Sequence, residues 1–204
     1  MVYVMMGGPA TGKGTRSKIL AEAKGIAHIA TGDMLRKVAL KDESIREKLS
    51  NGELISDEVT TKLLEERIKE EDCQKGFVLD GYPRTYEQAL LLDELLEKNG
   101  KHVDIVMELE VSDDLAIRRI LERKKCMSCG EAYGLDFPSK SKNYCDKCGG
   151  RLMIRTDDTK ETLMKRIETY KENSKEILEY YNQKEILRKV DASTRAESVV
   201  SDVE

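Results

Sequence analysis

The sequence predicts an α/β protein, a five-stranded parallel sheet flanked by helices, with two insertions over one end. Three observations carry this reading. Short apolar runs alternate with helix-patterned stretches from Val2 to Val203, the rhythm of a parallel sheet wrapped on both faces. The first run, Val2-Tyr3-Val4-Met5-Met6, breaks directly into Gly7-Gly8-Pro9-Ala10-Thr11-Gly12-Lys13-Gly14-Thr15 and then into a helix pattern. Two segments, Thr31 to Val59 and Lys124 to Ile154, fall outside the rhythm. They read as covers for the carboxyl ends of the strands, where such sheets place their sites.

The strand–loop–helix at the start is a phosphate cradle. Loop N–H groups and the helix N-terminus converge on an anion, and Lys13 adds a mobile positive charge. The spacing is G-x-x-x-x-G-K, but Gly14 stands where Ser or Thr usually follows the lysine. Thr15 is therefore the candidate hydroxyl near a metal ion. A plain glycine-rich turn is the alternative, and strand, glycines, lysine and helix together argue against it. Ala10 suits this loop if its φ stays negative.

The helix from Lys13 to Lys24 carries Ile19, Leu20 and Ala23 on one face, and Gly25 ends it. Ile26 to Ala30 is a second strand. Thr31 caps a helix through Leu40, a second charged helix follows, and Asn51-Gly52 turns the chain. Ser56, with Asp57 and Glu58 behind it, opens a helix reaching about Asp72. Phe77-Val78-Leu79 is a buried strand ending in Asp80-Gly81. Thr85 to Lys98 is a helix with Ala89, Leu92, Leu95 and Leu96 on its apolar face, and Thr85 and Gln88 spell a capping box at its start. Ile105 to Leu109 is a fourth strand, and Ser112 opens the next helix. Beyond the second insertion come a long helix from Thr159 to Tyr181, a fifth strand at Leu187 to Val190 and a final helix from Ala196 to Val203.

Composition fits an intracellular, cytoplasmic enzyme with one good core. The 204 residues carry a formal charge of −4, so no basic field recruits nucleic acid. No apolar run reaches membrane-spanning length, and the N-terminus lacks the pattern of a signal peptide. The cysteines are patterned. Cys126-Met127-Ser128-Cys129-Gly130 and Cys145-Asp146-Lys147-Cys148-Gly149 form two CxxC pairs fifteen residues apart. That spacing predicts a closed, structural zinc site of four thiolates. Two disulfides are the rival, but nothing indicates an oxidising compartment. Cys73 reads as ordinary packing, and His28 and His102 as structural.

Six arginines fall on strand tips, helix starts and insertion borders: Arg36, Arg84, Arg119, Arg123, Arg155 and Arg166. Each alone reads as a solvated charge, but their joint placement around one predicted cleft suits bidentate binding of phosphate oxygens. Asp80, at the tip of the third strand, stands where a carboxylate holds the waters of a magnesium ion beside the loop.

These residues resemble those of adenylate kinases, in particular the bacterial type whose lid carries zinc. The resemblance rests on Gly7 to Thr15, the run Thr31-Gly32-Asp33-Met34-Leu35-Arg36, and Asp80-Gly81-Tyr82-Pro83-Arg84-Thr85 with Gln88. Arg119, Arg123, the four cysteines, Tyr133, Phe137, Arg155-Thr156-Asp157-Asp158 and Arg166 complete it. It implies a P-loop kinase fold with a core at 1–29, 60–121 and 155–204, a nucleoside-monophosphate-binding segment at 30–59 and a zinc-ribbon lid at 122–154. It implies reversible transfer of the terminal phosphoryl of Mg-ATP to AMP, giving two ADP, by a monomer without nucleic-acid or membrane partners. Pro9, Ala10, Thr11, Gly12, Lys13, Gly14 and Thr15 would bind ATP with Arg119, Arg123 and Tyr133. Thr31, Arg36, Ile55, Gly81, Arg84, Gln88, Arg155 and Arg166 would bind AMP. Lys13, Arg84, Arg123, Arg155 and Arg166 would act on the transferring group, and Thr15, Asp33 and Asp80 would serve Mg2+ through water. Gln88 reads equally as a helix cap on sequence grounds, and the resemblance favours adenine recognition.

Three departures stand out: Ala10 for a common glycine, Pro138-Ser139-Lys140 for a frequent double proline, and Val190-Asp191-Ala192-Ser193 for a Val-Asp-Gly turn near the donor base. The last leaves a GTP donor open. A UMP/CMP kinase is a further alternative, against which Thr85 argues. A zinc-ribbon nucleic-acid-binding protein with a nucleotide switch is a remote one, because Lys124, Lys125, Lys140, Lys142 and Lys147 are offset by Glu131, Asp136 and Asp146.

Overall fold

Every residue of the first strand, Val2–Gly7 (β1), is buried, because parallel neighbours pair on both its sides and helices cover both its faces. The computed structural model describes residues 1–154 and 158–203. After β1 come α1 (Lys13–Lys24), β2 (Ala27–Ala30), α2 (Thr31–Val38), α3 (Glu43–Ser50) and α4 (Asp57–Ile68). Then follow β3 (Phe77–Asp80), α5 (Tyr86–Lys98), β4 (Ile105–Glu110) and α6 (Asp113–Glu122). Three short strands, β5 (Lys124–Cys126), β6 (Ala132–Tyr133) and β7 (Leu152–Met153), precede α7 (Lys160–Gln183) and β8 (Leu187–Asp191).

The main sheet is parallel throughout, in the order β2-β3-β1-β4-β8. Alternation along β1 divides the core in two. Val2, Val4 and Met6 pack with Leu64, Leu92, Leu96, Ile177 and Tyr181 from α4, α5 and α7. Tyr3 and Met5 pack with Leu20 and Ala21 of α1 and with Val199 near the C-terminus. The register aligns Met5 and Ala30 with Asp80, and Gly7 with Leu109. The loop after β1, the tip of β3 and the start of α2 therefore meet at one end of the sheet. The expected five-stranded parallel α/β architecture is the one observed.

The two insertions have small cores of their own. Leu35, Ala39, Ile45 and Ile55 cluster among α2, α3 and the start of α4. The cysteine segment forms an antiparallel sheet, β6-β5-β7, around Cys126, Cys145 and Leu152.

Several local expectations need correction. The final helix, Ala196–Val203, is a 3-10 helix, because the Ser198 and Ser201 hydroxyls bond the carbonyls three residues back and compete with α-helical pairing. The helix expected to reach Asp72 ends at Ile68, followed by a 3-10 turn at Glu71–Cys73; Arg67 clamps Asp72 through two hydrogen bonds of 2.8 and 2.6 Å and folds the chain back. Thr31 is the first residue of α2 instead of its cap, since its hydroxyl donates to the Asp80 carbonyl at 3.1 Å. Helix α2 stops at Val38, short of Leu40, and β2 begins at Ala27, one residue after Ile26.

Candidate active site

Local backbone geometry shapes the loop after β1. Gly7 has φ 143°, and a Cβ there would lie 2.8 Å from both the Leu109 carbonyl and the Thr11 hydroxyl, so only glycine fits. Gly12, at φ 84°, occupies the N-cap of α1, whose first turn holds no acidic residue. The exposed amides and the helix dipole are left for an anion. Ala10 departs from expectation: its φ is 61°, the left-handed region that disfavours a Cβ by roughly 1–2 kcal/mol.

The Lys13 ammonium donates to the Gly7 and Gly8 carbonyls at 2.7 and 2.6 Å. Burial and the nearby guanidiniums of Arg84, Arg166 and Arg123 lower its pKa to about 7, against the opposing pull of Asp80. A cationic group so destabilised is a receptor for negative charge. A Cβ on Gly14 would stand 3.3 Å from Asp80 Oδ2, so glycine after the lysine leaves room for that carboxylate. His28 also reaches this point, its Nε2 3.8 Å from Asp80.

One cleft of about 590 Å3 opens above these residues. Lys13, Arg36, Arg84, Arg119, Arg123 and Arg166 all line it, with Pro9, Ala10, Gly12, Gly14, Thr15, Asp33, Asp80, Gly81 and Tyr133. Thr31, Ile55, Gly81, Arg84 and Gln88 line an adjoining narrow pocket of about 10 Å3. Thr11 lines neither; its hydroxyl donates to the Gly8 carbonyl at 3.0 Å and braces the loop from behind. Arg155 lies outside the described residues.

Carboxylates engage several of the arginines. Arg123 makes a bidentate pair with the buried Asp158, at 2.8 and 2.5 Å, and Arg166 stands 4.0 Å from the same carboxylate. Arg119 is buried, 2.7 Å from Asp136 and 2.9 Å from the Ala192 carbonyl. Asp33 accepts from Arg36 and, across the cleft, from Lys125 at 2.6 Å; these hydrogen bonds outweigh its burial and hold its carboxyl well below the usual range. Gln88 caps as the sequence allowed, its N–H meeting the Thr85 hydroxyl at 3.1 Å, but its side-chain carbonyl accepts from Arg84 N–H instead of Thr85 N–H.

Comparison with known proteins agrees with this geometry. The adenylate kinase family profile matches residues 5–186. Adenylate kinases of Archaeoglobus fulgidus and Bacillus subtilis are each 41% identical to the chain, which they match over its whole length and 96% of their own. That of Thermosipho melanesiensis is 42% identical, over the whole chain and 97% of its length. The chain belongs to the adenylate kinase family.

This member of the adenylate kinase family also carries a four-cysteine cluster. The Sγ atoms of Cys126, Cys129, Cys145 and Cys148 all lie within 4.8 Å of one another, and none is in a disulfide. The contacts Cys126–Cys148 and Cys129–Cys145, at 3.5 and 3.6 Å, approach the sulfur separation of about 3.8 Å that tetrahedral zinc at ~2.3 Å imposes. Gly130 and Gly149 close the two knuckles, their N–H groups donating to the Cys126 and Cys145 carbonyls at 3.0 and 2.8 Å. A Cβ on Gly150 would lie 2.9 Å from Cys126 Sγ, so the chain leaves that space to the sulfurs. The cluster fits a tetrahedral metal.

From the sequence alone, Asp158, Asp57, Asp136 and Lys125 carry no site role. Asp158 stood in view within the Arg-Thr-Asp-Asp run. Lys125 and Asp136 read there only as balancing surface charges, and Asp57 only as part of the helix start after Ser56.

Proposed function

We propose that this chain catalyses the reversible, Mg2+-dependent transfer of the terminal phosphoryl group of ATP to AMP, giving two ADP. The observation that supports it most is the convergence of Lys13 and five arginines on one cleft beside the glycine-rich loop. So many fixed cations suit two phosphate chains meeting end to end. The attacking atom is an AMP phosphate oxygen, already ionised near neutral pH, so no general base is needed. Catalysis then reduces to in-line positioning and charge stabilisation.

In this reading the amides from Pro9 to Thr15 and Lys13 hold the donor phosphates, with Arg119 and Tyr133 toward the donor base. Arg123, Arg155 and Arg166 grip the transferring group. Arg36 and Arg84 hold the AMP phosphate, and Thr31, Ile55, Gly81 and Gln88 surround its base. Bound Mg2+ supplies neutralisation of phosphate charge; Thr15, Asp80 and Asp33 are the residues that would hold its waters. Asp158, paired with Arg123, keeps that guanidinium aimed until a phosphate displaces it. Residues 30–59 and 122–154 act as flaps that exclude water, which otherwise would take the phosphoryl group. Zinc on the four cysteines stiffens the second flap, and the enzyme works as a cytoplasmic monomer. The test is a coupled assay with ATP against AMP, CMP, UMP and GMP. AMP should be phosphorylated far faster than the rest, and comparable turnover of all four defeats the assignment.

A further inference from the structure

Gln88 is 2% exposed and both ends of its amide are held. Its Oε1 accepts from the Arg84 backbone N–H at 2.7 Å, and its Nε2 donates to Asp57 Oδ1 at 2.6 Å. A backbone N–H only donates and a carboxylate only accepts, so the amide orientation is fixed by chemistry. Rotating it by half a turn would set NH2 against N–H and carbonyl against carboxylate. Asp57, at the first position of α4, is itself steadied by the Thr85 hydroxyl at 3.3 Å from Oδ2. With these bonds made, Gln88 retains one N–H and one oxygen lone pair, and it lines the narrow pocket with Thr31, Ile55, Gly81 and Arg84.

The order of those two remaining valences matters. A 6-aminopurine offers N6–H as donor and N1 as acceptor; a 6-oxopurine offers O6 as acceptor and N1–H as donor. A freely rotating glutamine amide matches either edge, whereas a locked one matches only one. We infer that Asp57 is a specificity-determining positioning residue, whose carboxylate locks the Gln88 amide in the order that reads a 6-aminopurine monophosphate and rejects its 6-oxo counterpart. This rests on the reading of Gln88 as a contact to the acceptor base.

The test compares AMP with IMP, which differ only at this edge, by steady-state kinetics at saturating ATP. The variants are Asp57→Ala, Asp57→Asn, Gln88→Ala and the Asp57→Ala/Gln88→Ala pair, with Asp57→Ser as a form suited to a helix start should the alanine variant fail to fold. Asp57→Ala should lower the AMP:IMP ratio of kcat/KM by about tenfold, the scale of a mismatched hydrogen bond, through KM more than kcat. Asp57→Asn keeps an accepting oxygen and should keep the ratio. In the Gln88→Ala background the Asp57 change should do nothing further. An equal loss for both acceptors, or a ratio change that persists without Gln88, overturns the role of Asp57. A wild-type enzyme indifferent to AMP and IMP, or a ratio unmoved by Gln88→Ala alone, overturns the reading of Gln88 as well.

Discussion

Besides Ala10, Glu185 and Lys13 sit in environments that work against their own preferences, and each makes a measurable prediction. Helices α1 and α7 both end in a left-handed turn with the same pair of backbone bonds, Gly25 N–H to Glu22 and Ile26 N–H to Ala21, and Glu185 N–H to Asn182 and Ile186 N–H to Tyr181. At the first turn the left-handed residue is Gly25; at the second it is the exposed Glu185, φ 61°. Glycine is the residue that geometry favours. Glu185→Gly should stabilise the protein by about 1 kcal/mol and raise its melting temperature by roughly 2–4 °C; a lower melting temperature would refute the strain. The other residue is Lys13, held near pKa 7 by burial and three guanidiniums. Triphosphate favours its charged form and raises that value. At pH 8 the free protein carries mostly neutral Lys13, so ATP binding should take up close to one proton, and at pH 6, where Lys13 is already charged, almost none. Calorimetric titration in buffers of different ionisation enthalpy reads this directly. A binding enthalpy independent of buffer at pH 8, or one whose buffer dependence survives in Lys13→Met, contradicts it.

At the scale of elements, the main sheet was legible because its strands are apolar runs closed by turn residues, and Val2 to Met6 could not be placed anywhere but in a core. The phosphate loop and the two CxxC knuckles were legible because their chemistry is local in sequence. The partners that tune the site were not, because Gln88–Asp57, Arg123–Asp158 and Lys125–Asp33 span 31, 35 and 92 residues and leave no periodic trace. The tiny strands β5, β6 and β7, of three, two and two residues, also escaped notice, since so little pairing has no pattern of its own. Their shortness carries a prediction. A segment whose core is Cys126, Cys145, Leu152 and the partly buried Tyr133 cannot offset its chain entropy by burial alone, so metal binding should supply its folding energy. Chelation, or Cys145→Ser, should abolish amide protection across 122–154 while β1, β3 and β4 keep theirs in hydrogen exchange. Protection there that survives complete metal removal would show that the segment folds unaided.

Across the whole molecule the formal charge is −4, yet the cleft is lined by Lys13, Lys125 and five described arginines. Such a concentration of like charge is destabilising unless answered, and carboxylates answer it: Asp158 for Arg123 and Arg166, Asp136 for Arg119, Asp33 for Arg36 and Lys125. Phosphates entering the cleft should exchange with these partners and release whatever the pairs hold together. Of these, Asp33–Lys125 joins α2 to β5 across the opening, Arg119–Asp136 ties α6 to the cysteine segment, and Lys18–Glu131, at 3.5 Å, adds a tie to that segment from α1. Both residues of the Asp33 pair are partly exposed, at 45% and 26%, so the link is worth under about 1 kcal/mol, a shift of roughly fivefold at most between closed and open populations. Such a bias should narrow the resting cleft without locking it. With dyes on the exposed Lys41 and Lys140, Lys125→Ala should shift the energy-transfer distribution of the nucleotide-free protein toward longer distances. Wild-type protein in about 0.5 M salt should move the same way, since screening at that strength acts over roughly 4 Å. Identical distributions for the variant and the wild type at low salt would mean that packing, and not this ion pair, sets the width of the opening.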